Sequence, residues 1–343
     1  MSNQESAFTE PERRVYEARN INSDPREQGQ QYQPEYPQTY GGSGQQQVGE
    51  KLYAPRNRRP RHRGLLLILA LLVLIVLVGG GILSQTGISI MTQRSTSTHS
   101  FANVSHPKLV IRDSSGTIHI HSGGSSNSVI VTETKFATGL GVNLNNMHVD
   151  YTRDGNTIDV TAQSDSFFSL GSRDIDLDIT APNASDMVIN TGSGQVEVDD
   201  ITGQVQVETG SGSINANNLN GSATLKTGSG TITVGGLVGQ ANMNTGSGDI
   251  EVKEAKLSGQ SIMKTGSGSI DFNGSIDPAG SYDFNTGSGT ITVALPASSA
   301  FKLDATTDSG TVTNDFGSNS VGNGSQAGLQ LHTGSGDISL RKN

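Results

Sequence analysis

From about residue 98 onward, apolar residues recur at every second position in short runs, and glycines punctuate the runs. The unit 227–244 reads TGSGTITVGGLVGQANMN. In it Ile232 and Val234 alternate with Thr231 and Thr233, and Ala241 and Met243 alternate with Gln240, Asn242 and Asn244. Alternation of this kind over about five residues is the mark of a half-buried strand. The glycine density and the β-branched residues at period two argue against helix. Each unit therefore predicts two short strands joined by glycine turns.

The unit repeats. TGSG begins at Thr191, Thr209, Thr227, Thr245, Thr265, Thr286 and Thr333, with TDSG at Thr307, at spacings of 18, 18, 18, 20, 21, 21 and 26 residues. The position two before each threonine runs Ile189, Val207, Leu225, Met243, Met263, Phe284, Ala305 and Leu331, and the threonine shares its parity. One repeat cannot bury such a column alone, but neighbours stacked on both sides can. The expectation is all-β: a single right-handed β-solenoid over residues 98–343, built from coils of 18–21 residues, with irregular first coils. Met243 should lie between Leu225 and Met263, and Asn244 should face outward. The coil with Ile338 and Leu340 is expected at the end of the stack, blunted by Arg341 and Lys342.

Outside the repeats the pattern changes. Residues 64–83, GLLLILALLVLIVLVGGGIL, carry no charge and are long enough to span about 30 Å of hydrocarbon. A single-pass transmembrane helix is expected at 64–84. Lys51, Arg56, Arg58, Arg59, Arg61 and Arg63 precede it, which places the N-terminus in the cytoplasm and the repeats outside. Residues 1–63, poor in apolar side chains and rich in Gln, Pro and Tyr, predict a disordered tail. Residues 85–97 read as a Ser/Thr-rich stalk.

The tail holds 10 Lys and Arg against 8 Asp and Glu, the remainder 13 against 24. An outer part with a net charge of −11 argues against nucleic acid as a partner. The chain contains no cysteine, which removes thiol chemistry and Cys-ligated metals.

Candidate chemistry is sparse. Asp174, Asp176 and Asp178 alternate with Ile175, Leu177 and Ile179, so the carboxylates share an outward face about 6.8 Å apart. They are the nearest approach to a calcium set. The residue after TGSG is aspartate only at Asp249 and Asp337, unlike the repeating aspartates of calcium β-rolls. His119 and His121 also share one face, but His-x-His without a third ligand makes a poor Zn or Cu site. The glycine-rich TGSG lacks the lysine and following helix of a phosphate loop. No catalytic residue, cofactor or metal is expected.

Several phrases resemble the bacterial adhesin-like β-solenoid family of unknown function: LVIRDSSGTIHI at 109–120, DIDLDITAP at 174–182, the repeated TGSGxIxV, and SGTITVALPASSAFKLDATTDSGTVTNDF at 288–316. The resemblance implies an envelope β-helix and carries over no catalytic residues. The resulting expectation is a membrane-anchored cell-surface solenoid, not an enzyme, that acts as an adhesin-like binding or scaffold protein toward an envelope polymer or protein. An envelope-stress signalling component using the cytoplasmic tail is the alternative, and a glycan-active enzyme ranks below both.

Overall fold

The computed structural model describes residues 91–343 apart from 124–126, 141 and 165–169. The expected tail, the expected transmembrane span and residues 85–90 lie outside the described residues. Among the described residues no helix is long and apolar enough to cross a membrane. They form a 22-stranded all-β sheet that folds back on itself as a solenoid-like stack, with one single-turn 3₁₀ segment, Leu144–Asn146.

The alternation becomes two faces around one core. Strands Ile214–Ser229 and Ile232–Ser247 are parallel and offset by one repeat: Ile214 pairs with Ile232, Leu225 with Met243 and Thr227 with Thr245. Met243 pairs onward with Met263, and Met263 with Phe284. All these apolar side chains are buried, and Asn244 is exposed. Phe272 and Phe284 meet from opposite faces with ring centroids 5.5 Å apart. The longer repeats place their extra residues at corners, at Ser258 and Gly259 and in the Asp277–Gly280 turn, where the Tyr282 hydroxyl donates to the Leu257 carbonyl at 3.0 Å. Between Ile250–Leu257 and Ile270–Ile276 the register shifts by one residue between Lys253 and Ala255, and beyond the corners the columns of Met263 and Phe284 stay aligned.

TGSG is the tight corner. The threonine points inward, and from Thr227 onward it donates to the carbonyl of the second TGSG glycine one layer away: Thr227 to Gly212, Thr245 to Gly230, Thr265 to Gly248 and Thr286 to Gly268, at 2.8–2.9 Å. Gly248 has φ +149°, and a Cβ there would overlap the Gly230 carbonyl oxygen. Backbone stacks directly on backbone at this corner, which is why glycine recurs there.

The stack is not in chain order. Strand Ala327–Ser335 lies between Ser281–Ser288 and Phe301–Ser309, and Ile338–Lys342 lies between Ile291–Leu295 and Val312–Asn314. The coil expected at the end is therefore interior, and the preceding coil forms the end layer. Burial explains the exchange. Leu329, Leu331, Ile338 and Leu340 are buried, whereas at the paired positions the end layer offers Leu303, half-buried Ala305 and Asn314, and Val312, which is 44% exposed. The more apolar coil gains more from neighbours on both sides. Phe316 covers the end layer, packing edge-on against Phe301 at 5.0 Å, with the Lys342 ammonium 5.1 Å from its ring centre. Arg341 and Lys342 do not blunt a free end.

The other end is closed by antiparallel strands. Lys108–Ser115 lies between Thr157–Ser164 and Asp186–Ser193, and Ile118–Ser122 lies between Leu170–Ala181 and Val196–Asp199. Beyond them Met147–Asp154 pairs antiparallel with Thr157–Ser164, and Ser128–Leu140 with Leu170–Ala181. Met91–Ala102 pairs antiparallel with Ser128–Leu140, so residues 91–97, expected as stalk, are strand. This outermost strand is polar and exposed up to Phe101, a composition suited to a sheet edge. Inside this end, the buried Glu133 accepts from Ser97 Oγ at 2.6 Å and from the Tyr151 hydroxyl at 2.7 Å. Burial opposes its charge, but these bonds and Lys135 outweigh it and hold the carboxyl below its usual range.

Candidate functional site

The most chemically loaded patch lies on an outward face near this closed end. Strand Ile118–Ser122 turns Ile118 and Ile120 into the core, which leaves His119 and His121 on the outer side. The neighbouring strand Leu170–Ala181 runs parallel, with His119 opposite Asp178 and His121 opposite Thr180. On the other flank, Val196–Asp199 places Glu197 opposite His119 and Asp199 opposite His121. Three separated stretches of chain thus deliver their side chains to one spot.

Asp178 sits between the two rings. Its Oδ2 is 3.4 Å from His119 Nδ1, and its Oδ1 is 3.9 Å from His121 Nδ1. Asp199 Oδ2 lies 3.3 Å from His119 Nε2, and Thr180 Oγ1 lies 2.9 Å from His121 Nε2. His121 Nδ1 is shielded from solvent and closes no hydrogen bond. One donor atom from each of His119, His121 and Asp178 falls within a 4.8 Å span.

The three aspartates are divided between two environments. Asp178 joins the histidines, while Asp174 and Asp176 border a shallow groove with Ser115, Gly116, Thr117, Phe136, Ser193 and Gly194. There Asp176 accepts from the Thr117 backbone N–H at 2.9 Å. Beside the groove Asp113 is buried at the position that TGSG gives to threonine, in the variant corner Asp113-Ser114-Ser115-Gly116. Burial pushes its carboxyl up to about 7, and Asp176 and Asp174 add to the rise. The Ser115 and Ser114 N–H groups pull the other way without closing bonds of normal geometry.

His119, His121 and Asp178 stand out in the sequence as separate candidates, and the fold joins them. Asp199, Asp113 and Glu133 do not stand out. The departure of DSSG from TGSG was the available signal for Asp113, and Glu133 carried none, since its run resembles an ordinary exposed alternation.

A stack of parallel β-coils closed at one end by antiparallel strands defines the class: an all-β, solenoid-like domain. The profile of the Toastrack DUF4097 family matches residues 106–341, and the chain belongs to that family. No curated protein matches it. Among solved structures, a candidate adhesin from Bacteroides fragilis NCTC 9343 is 13% identical, with 72% of this chain and 97% of that chain covered and a TM-score of 0.40. A candidate adhesin from Parabacteroides distasonis ATCC 8503 is 10% identical, with 72% and 97% covered and a TM-score of 0.32. A candidate cell adhesion protein from Clostridium sporogenes ATCC 15579 is 12% identical, with 73% and 100% covered and a TM-score of 0.27.

Proposed function

We propose that this chain is a membrane-anchored envelope protein that presents an acidic β-solenoid outside the cytoplasm as an adhesin-like binding or scaffold surface. The observation that carries this reading is the set of outward polar columns running across the coils. Asn215, Thr233, Glu251, Asp271 and Thr292 stand in register on successive strands. Their spacing is that of neighbouring strands, about 4.8 Å. A regular, extended polar face of this kind suits a repeating polymer or another protein surface better than a single small molecule. The uncharged run 64–83 and the six basic residues before it supply the anchor and its orientation. The acidic outer part would engage anionic polymers through bridging cations.

Protease applied to intact cells, or to spheroplasts where an outer wall intervenes, should degrade the repeats and spare an N-terminal tag. Loss of the tag with the repeats protected would reverse the topology and remove the surface role. Full-length chain in detergent should then retain envelope fragments on a column in proportion to added divalent cation. Retention that ignores both cation and salt would count against an acidic face as the binding surface.

A further inference from the structure

We propose that His119, His121 and Asp178 form a binding site for a divalent transition-metal ion of the zinc class, with Asp199 as an orienting partner on the outer side of His119. Four observations converge. The donor set, two imidazoles and a carboxylate, is one that zinc, nickel and copper accept and that calcium and magnesium do not favour. Bonds of 2.0–2.1 Å to a tetrahedral ion place its ligand atoms roughly 3.3 Å apart. Asp178 already lies 3.4 Å from His119 Nδ1 and 3.9 Å from His121 Nδ1. The 4.8 Å span of the three donors closes with small rotations of half-exposed side chains.

His121 Nδ1 is shielded, lacks a hydrogen bond and faces Asp178. A bound ion would satisfy it. Thr180 on His121 Nε2 and Asp199 on His119 Nε2 contact the nitrogens on the far side of each ring, the arrangement by which outer partners orient metal-binding imidazoles. Finally, the placement is peculiar to this layer. The same two outward columns carry Glu197 and Asp199, then Asn215 and Asn217, then Thr233 and Gly235 in the next coils. A solvated strand face alone does not call for paired histidines opposite an aspartate.

The inference is independent of the membrane reading. The test uses untagged full-length chain in detergent, stripped with chelator and titrated with Zn²⁺ alone against a chromogenic competitor. One equivalent should bind saturably. His121→Ala and Asp178→Ala, made separately, should each weaken that binding at least about tenfold. His148→Ala, at an exposed position on another strand, should leave it intact. Zn²⁺ should raise the thermal midpoint of the wild type and not of the two site variants, a readout that also reports whether the variants fold. Unsaturable binding, affinity unchanged in both site variants, or equal competition by Ca²⁺ would each overturn the assignment.

Discussion

Thr245→Val and Thr209→Val make the same change in the same ladder, yet the structure assigns them opposite signs. Both threonines are buried, 1% and 2% exposed. Thr245 Oγ1 donates to the Gly230 carbonyl at 2.9 Å, while Thr209 Oγ1 is buried and has no partner. Valine keeps the shape and removes the hydroxyl. At 245 the loss is one net hydrogen bond, about 0.5–1.5 kcal/mol, plus part of the cost of an abandoned carbonyl, so about 1–2 kcal/mol of destabilisation. At 209 no bond is lost, an unsatisfied hydroxyl is removed and a methyl is buried, so the domain should gain about 1 kcal/mol. For a domain of this size each kcal/mol moves the thermal midpoint by about 2–4 °C. Urea unfolding of both variants, followed by far-UV ellipticity with the slope checked for constancy, measures the two signs directly. Shifts in the same direction at both sites would refute the account of the ladder.

Three further outcomes are expected. Met243→Asp should destabilise the stack by several kcal/mol, because it buries an unpaired charge, while Asn244→Asp one residue on should change the urea midpoint little; equal midpoints would refute the parity of the strand. Asp200, Asn218, Gly236 and Glu254 recur at 18-residue intervals with positive φ, and Glu254 at 56° carries the strain of a left-handed backbone, so Glu254→Gly should raise thermal stability by about 0.5–1 kcal/mol. Asp113 titrates near 7 in the folded chain against an ordinary 3.8, so between those values the native state keeps a proton that the unfolded chain has released. Its contribution is full below pH 4, falls as pH rises to about 7 and is level above, and Asp113→Asn should gain on the wild type across that window in midpoints measured at pH 4, 5.5 and 7.5.

The sequence by itself determined the coil. Period-two alternation dictates strand and parity, and the TGSG spacing dictates the offset of stacking, so Leu225, Met243 and Met263 fall in one column by residue order alone. Inward threonine was legible for the same reason: parity is local and needs no knowledge of the neighbour. The identity of the neighbour is a different matter, because every coil offers the same backbone edge to every other. The competition is settled by how much apolar surface each layer can bury. That competition moved the coil of Ile338 and Leu340 inside and left the poorer Thr311-Val312-Thr313-Asn314 layer at the end. The same non-sequential order set Ile118–Ser122 beside Leu170–Ala181, about sixty residues further along the chain, and so brought Asp178 between His119 and His121. Alternation assigned each of those side chains to an outer face. Only strand pairing, a tertiary choice made by burial on the opposite face, decided that they share one.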